Sequence, residues 1–215
     1  MIEQYKMAIF DLDGVIVDTA KYHYLAWRQL AKKLGFDFTQ EHNERLKGVS
    51  RESSLEILLE VGGLEDKFNA EEKKSMAYEK NQRYLEYISN LNEDELLPGA
   101  KPYLEALRAR GIKVGLGSAS KNARQILAQL NITDLFDVII DGNSTKTAKP
   151  DPEVFTLGAL AMNVSPDCCV VFEDAQAGID AAVAAGMDAV AVGCESDLSG
   201  AMLYVKDLDE AFKML

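Results

Sequence analysis

Five short runs of the chain are almost wholly apolar: "YKMAIF" near the start, then "IKVGLGS", "FDVIID", "CCVVFED" and "MDAVAVG". Continuous apolarity over five or six residues rich in Val, Ile and Phe suits strands covered on both faces. Between the later runs, residues 99–110, 121–130, 152–162 and 175–185 carry helical spacing. Strand and helix in alternation predict a parallel α/β sheet with short loops.

Residues 18–91 break this pattern and contain no convincing strand. "YHYLAWRQLAKKLG" sets Tyr22, Ala26, Leu30 and Leu34 at i+4 steps along one helical face, with Gly35 as a stop signal. "RESSLEILLEVGG" ends in the same way, and "AEEKKSMAYEKNQRYLEYI" reads as a longer, polar helix. "LPGA", with Pro98 and Gly99 as breakers, returns the chain to α/β pattern. The expected organisation is a core of residues 1–17 and 92–215 with a helical insert at 18–91. The chain would cross between them near 15–19 and 90–97. The tail after Gly193 carries one more strand and helix.

Composition narrows the function classes. Thirty-five acids against 23 bases give a formal charge of −12, a field that repels nucleic acid and anionic lipid. Neither is expected as a partner, although a few placed cations can still hold a small anion. "MIEQYKMAIF" lacks the basic region and long apolar stretch of a signal peptide. No stretch approaches the roughly 20 apolar residues of a membrane span. Cys168, Cys169 and Cys194 fit no metal-ligand spacing and are expected as reduced thiols in a cytoplasmic protein. "GLGS" supplies two glycines of a dinucleotide fingerprint without the third or its acid, which argues against a nicotinamide cofactor.

The chemistry collects where strands end. Ligands of open parallel sheets bind beyond the carboxyl ends of the strands. There the first run ends in Asp11 and Asp13, the second in Ser118 and the fourth in Glu173 and Asp174, while Lys149 follows the third. Four carboxylates at one edge repel one another unless a cation sits among them. A hard divalent ion with oxygen ligands meets that need, and Mg²⁺ is the usual choice beside phosphate.

"FDLDGVIVDT", "GSASKN", "AKPDPEVF" and "FEDAQAGIDAA" resemble, in order, the four motifs of the haloacid dehalogenase superfamily. The resemblance covers essentially the whole chain. It implies a doubly wound parallel sheet, the Rossmann-like core of that superfamily, with an inserted helical-bundle cap. It further implies that Asp11 is a nucleophile accepting a phosphoryl group and that Asp13 is the general acid and base. The metal would be held by Asp11, the Asp13 carbonyl and Asp174, with Glu173 either a further ligand or a neighbour that supports the ligands. Ser118 and the amides around Ala119 would bind phosphoryl oxygens beside Lys149. An acid at position 13 points to phosphate esters, since superfamily dehalogenases lack one and ion-pumping ATPases carry threonine. In "KPDP", Asp151 can cap a helix whose first residue is Pro152, fixing the loop of Lys149.

Within the superfamily, "KYHYLAW" and "LKGVSRE" resemble the β-phosphoglucomutase family. Ser50 can N-cap a helix with Arg51 in its first turn, an anion site of guanidinium plus amides. The resemblance assigns the distal phosphate and sugar to "KGVSR", with Gly48 and Val49 touching substrate through backbone, Arg51 holding the anion, Lys47 joining the hinge and acid–base control, and Ser120, Lys121 and Asn122 contributing from the core. It places Thr19 in the hinge and has His23 help control Asp13. Trp27 is either core packing or active-site wall, and His42 matches nothing. The implied reaction interconverts β-D-glucose 1-phosphate and 6-phosphate through a bound β-glucose 1,6-bisphosphate, in a monomer. A sugar-phosphate phosphatase on the same scaffold is the alternative, and a non-catalytic binding protein conflicts with the complete set Asp11, Asp13, Lys149 and Asp174.

Overall fold

The computed structural model describes residues 2–46, 49–193 and 198–215. Its strands are β1 (Met7–Phe10), β2 (Lys113–Gly117), β3 (Val138–Ile140), β4 (Cys169–Glu173), β5 (Asp188–Val192) and β6 (Leu203–Val205). The helices are α1 (Ala20–Leu34), α2 (Gln40–Glu44), α3 (Arg51–Val61), α4 (Ala70–Ile88), α5 (Ala100–Ala109), α6 (Ala123–Gln129), α7 (Glu153–Ala161), α8 (Gln176–Ala184) and α9 (Leu208–Lys213). The chain divides into two compact units, one made of residues up to Asp18 with Leu91–Leu215, the other Thr19–Asn90.

The first unit is a doubly wound α/β domain. Its six strands are parallel in the order β3-β2-β1-β4-β5-β6. Winding reverses between β1 and β4, which opens a crevice at their carboxyl ends. All four residues of β1 are fully buried, as its unbroken apolar run predicts. Met7 and Ile9 join Phe155 of α7 and Ile179 of α8 in one core cluster. Phe10 points the other way, stacking on Phe172 with ring centroids 4.6 Å apart and meeting the edge of Tyr103 from α5. β3 is only half-buried because it is an edge strand. The two chain crossings run side by side within this unit: Val17 bridges Leu96, and Leu97 N–H donates to Ile16 O.

The second unit is helical throughout. Trp27, Leu30 and Ala31 of α1 pack with Phe38, Leu55, Leu58 and Leu59. The buried face of α1 is therefore rotated from the expected stripe: Ala26 and Leu30 are buried, Trp27 and Ala31 join them, and Tyr22 and Leu34 are only half-buried. Gly35 ends α1 in the left-handed conformation, φ 95°, and Ser50 caps α3 by accepting from Ser53 N–H at 3.1 Å. The short α2 was invisible to periodicity. It rests on a reciprocal cap in which Thr39 Oγ1 accepts from His42 N–H and His42 Nδ1 accepts from Thr39 N–H. His42, unmatched to any motif, is thus a helix-start residue.

Candidate active site

Strand register assembles the core residues. Phe10 pairs with Leu116 on one side and Phe172 on the other. Asp11, Gly117 and Glu173 therefore share one row at the sheet edge, and Asp11 N–H extends the ladder by donating to Phe172 O at 2.9 Å. Asp11 is 7 % exposed, Lys149 5 % and Glu173 1 %. Lys149 Nζ lies 2.5 Å from Asp11 Oδ1 and also donates to Glu173 Oε1, while Phe155 supplies a ring face 4.9 Å from the ammonium. Burial alone lowers a lysine pKa, but Asp11 and Glu173 outweigh it and hold the Lys149 ammonium above its usual value. Burial raises the Glu173 carboxyl against the pull of Lys149.

Two glycines make room for the acids where β4 ends, Glu173 and Asp174. Gly14 has φ +81°, and a Cβ there would stand 2.0 Å from Asp174 Oδ2. Only glycine accepts both that backbone and that approach. A Cβ on Gly178, in the first turns of α8, would stand 2.0 Å from Glu173 Cδ and Oε1. Glu173 thus lies folded against α8 with Oε2 accepting from Ala175 N–H at 3.0 Å, and Asp174 lies against the Asp13–Gly14 turn. That turn closes through Gly14 N–H to Val17 O, which leaves Asp13 half-buried.

Ser118 is buried; its N–H donates to Ile140 O, and its Oγ accepts from Ser120 N–H at 3.1 Å. Asn122 N–H donates to Ser120 Oγ at 3.3 Å, and Ala119, Ser120, Lys121 and Asn122 are all half-buried. The loop of Lys149 is set one residue differently from expectation. Asp151 does cap α7, accepting from Glu153 N–H at 3.0 Å, but Pro152 occupies the N-cap position instead of the first helical one. Pro152 O already accepts from Thr156 N–H, so the proline closes the first turn from outside it.

In the helical unit, Thr19 is buried at the start of α1 and accepts from Tyr84 OH at 3.1 Å. One turn on, His23 lies 3.9 Å from the Tyr84 ring centroid, with its Nδ1 2.7 Å from Lys80 Nζ. Burial, then Lys80 and Arg51, push the His23 pKa well below its ordinary value, so the ring is neutral. An ammonium has nothing to accept with, so Nδ1 accepts and Nε2 carries the proton. Lys80 itself is 2 % exposed, with Trp27 and Tyr84 rings 4.5 and 5.0 Å from Nζ. Trp27 is 2 % exposed within the helical core. Arg51, in the first turn of α3, is half-buried, and that burial lowers its guanidinium pKa. Val49 is half-buried just before α3. Lys47 and Gly48, with Cys194, lie outside the described residues.

The profile of the haloacid dehalogenase-like hydrolase family matches residues 5–186. The chain belongs to that family. Among haloacid dehalogenase-like proteins it is 46% identical to the β-phosphoglucomutase of Bacillus subtilis over 205 residues, 95% of this chain and 91% of that one. The crystal structure of β-phosphoglucomutase from Clostridium difficile matches with a TM-score of 0.92 and 46% identity, covering 95% of this chain and 92% of that one. A phosphorylated carbohydrates phosphatase of Thermotoga maritima is 34% identical over 184 residues, 85% of this chain and 82% of the relative.

The donor set of this haloacid dehalogenase-like site fits Mg²⁺. Among the described residues no three His, Cys, Asp or Glu side chains form a closed metal cage. Mg²⁺ does not require one: it is held by one or two carboxylates, with waters and substrate phosphate filling the rest. Asp11 and Asp174 would supply two, and the Asp13 carbonyl a third oxygen. Both Glu173 oxygens already accept hydrogen bonds, Oε1 from Lys149 Nζ and Oε2 from Ala175 N–H.

Two residues escaped the sequence reading. Lys80 looked like any polar residue of a polar helix, and only its partner 57 positions away reveals it. Asp141 follows β3 as Asp11 follows β1 and is 3 % exposed. Its signal, an acid closing an apolar run, was present in "FDVIID". No described helix is long and apolar enough to cross a membrane.

Proposed function

We propose that the chain interconverts β-D-glucose 1-phosphate and β-D-glucose 6-phosphate through an aspartyl-phosphate enzyme and β-glucose 1,6-bisphosphate. The observation that carries the reading is the buried Asp11–Lys149 pair at the switch point of a chain 46% identical to a β-phosphoglucomutase over nearly its whole length.

An Asp11 carboxylate oxygen attacks phosphorus of the bisphosphate in line with the sugar oxygen. The P–O bond to the sugar breaks, and Asp13 delivers a proton to the leaving oxygen. In the return step Asp13 takes a proton from the sugar hydroxyl, which attacks the phosphoaspartate and frees Asp11. Lys149 lies within reach of the same oxygens and neutralises charge that grows on them, while Glu173 keeps the ammonium in place. Ser118 and the amides after it receive phosphoryl oxygens. Asp11, Asp174 and the Asp13 carbonyl would hold Mg²⁺, which when bound screens the phosphate from the attacking carboxylate.

The helical unit distinguishes mutase from phosphatase. A mutase must grip a second phosphate away from the nucleophile and keep water from the aspartyl phosphate. Arg51 at the start of α3, with Ser50 capping the same turn, suits that anion. We assign Lys47, Gly48 and Val49, with core residues Ser120, Lys121 and Asn122, to the sugar and its distal phosphate, Thr19 to the hinge and His23 to the control of Asp13. The unit at 19–90 acts as a cap, and the protein as a cytoplasmic monomer. A sugar-phosphate phosphatase is the second reading, favoured by the 34% identity to a phosphatase of phosphorylated carbohydrates.

Incubation with Mg²⁺, β-glucose 1-phosphate and a trace of the bisphosphate tests the two readings, with the α anomer as control. Glucose 6-phosphate from the β anomer alone, with little free phosphate, supports the mutase. Rapid free phosphate without isomerisation replaces it with the phosphatase.

A further inference from the structure

The 118–122 loop is stitched to the chain that leaves β3. Ser118 N–H donates to Ile140 O at 3.0 Å, Gly142 N–H to Ser120 O at 3.2 Å, and Asn143 Nδ2 to Lys121 O at 2.9 Å. Arg124, just past the loop, donates to Ile139 O at 2.8 Å. At Gly142 there is no space for a side chain, since a Cβ would stand 2.3 Å from Ala119 O, a main-chain atom.

Asp141 holds this seam together. Its Oδ1 accepts from Asn143 N–H at 3.0 Å and from Ser144 Oγ at 2.9 Å. Its Oδ2 faces Asn143 Nδ2 and Arg124 Nε, each at 3.4 Å. A carboxylate this buried persists only when it is paired and hydrogen-bonded. The groups that satisfy it are those that fix residue 143 and the start of α6.

The consequence for the loop follows from peptide geometry. In a planar trans peptide, the C=O of one residue and the N–H of the next point in opposite directions. The carbonyls of Ala119, Ser120 and Lys121 all lie against residues 142 and 143, so the N–H groups of Ser120, Lys121 and Asn122 are turned away from that seam. Holding three carbonyls on one side sets the direction of three consecutive N–H groups on the other, where Ser120 N–H and Asn122 N–H meet the hydroxyls of Ser118 and Ser120.

We propose that Asp141, Gly142 and Asn143 are a template that orients the main chain of the 118–122 loop for anion binding, with Asp141 and Asn143 as positioning residues. The proposal rests on the reading of that loop as the one that receives phosphoryl oxygens. It enlarges the site by a fourth strand end, that of β3, to which no motif was assigned.

The test measures orthovanadate affinity by calorimetry in the presence of Mg²⁺, kcat and KM with acetyl phosphate as donor, and the melting temperature. Asn143 is exposed, so Asn143→Ala should fold. Loss of its one loop contact should weaken vanadate binding and kcat/KM by the same factor, about fivefold. Gly142→Ala must displace Ala119 O and should cost roughly a hundredfold in both. A purely structural seam would lower the melting temperature of Asn143→Ala and leave both constants unmoved, which would overturn the template. If Asn143→Ala shows the expected drop in vanadate affinity but the unmodified protein never isomerises its sugar phosphate, the template stands and the mutase reading fails.

Discussion

Replacing Gly178 by alanine sets two effects of known sign against each other. In the middle of a helix, Gly→Ala is stabilising by about 0.5–1 kcal/mol. Here the new Cβ would stand 2.0 Å from Glu173 Cδ and Oε1, whereas such contacts essentially never fall below 3.0 Å. The carboxyl must withdraw by about 1 Å, and a displacement of that order at a catalytic constellation costs roughly a hundredfold in rate. Glu173 Oε1 is one of two acceptors for Lys149, and the loss of a charge-assisted hydrogen bond is worth about 1.5–3 kcal/mol. The net expectation is destabilisation by about 1–2 kcal/mol, a fall in melting temperature of roughly 3–6 °C for a chain of this size. Turnover should fall about a hundredfold. Thermal melts and the acetyl phosphate assay read the two terms separately. Gly158→Ala in α7 is the control, because its Cβ would find only an ordinary contact, 3.6 Å from Ile9 Cδ1. If Gly178→Ala melted at or above the parent temperature and kept turnover within about threefold, Glu173 would not be the brace of Lys149.

Three further outcomes are expected. Asp11→Asn abolishes phosphoryl transfer while the circular dichroism spectrum and cooperative melt persist; substantial residual turnover would remove the nucleophile assignment. Arg51→Ala spares phosphorylation by acetyl phosphate but lowers kcat/KM for the mutase cycle about tenfold or more, the worth of a charge-assisted contact to phosphate, and equal loss in both assays would make Arg51 a support of the fold. The depressed His23 pKa means that the unfolded chain binds a proton there at pH values where the folded one does not. That contribution to stability is therefore complete above the unfolded value near 6.5 and is lost as pH falls below it. Melting temperature should drop more steeply between about pH 7.5 and 5 for the parent than for His23→Asn, and parallel curves would contradict the neutral ring.

What was legible in the sequence was whatever depends on neighbours in the chain. β1, β2, β4 and β5 announce themselves because a strand is apolar wherever both of its faces are covered, with charge confined to the ends at Lys113, Glu173 and Asp188, and Ser50 and Gly35 mark helix ends by local chemistry. The acids after β1 and β4 stand out because an apolar run halts on them. The face of α1 was misjudged by about one position, since whether Trp27 or Tyr22 turns inward is decided by α3 and α4, not by spacing within α1. Lys80 could not be found at all. Its burial depends on two aromatic rings and on His23 from another helix, and nothing local distinguishes it from Lys73 or Lys74. Asp151 and Pro152 were read correctly as a helix start, yet one residue out of phase, because capping signals tolerate that shift. Asp141 was legible in kind, and was passed over because no motif named it.

Glu173 and Asp174 are consecutive residues whose carboxylates serve different neighbours, one the ammonium of Lys149 and the other the Gly14 turn. The sheet edge therefore reads the dipeptide as an ordered pair of arm lengths. Exchanging the two acids, Glu173→Asp together with Asp174→Glu, conserves charge and composition. The swap nevertheless leaves the arm at Lys149 one methylene short and lengthens the arm whose carboxylate already lies where a Cβ on Gly14 would stand. A slip of one residue in β4 would misplace both at once. For this chain, drift is constrained not by how many acids stand at the crevice but by their order, and a library that shuffles only these two positions should return the parental arrangement.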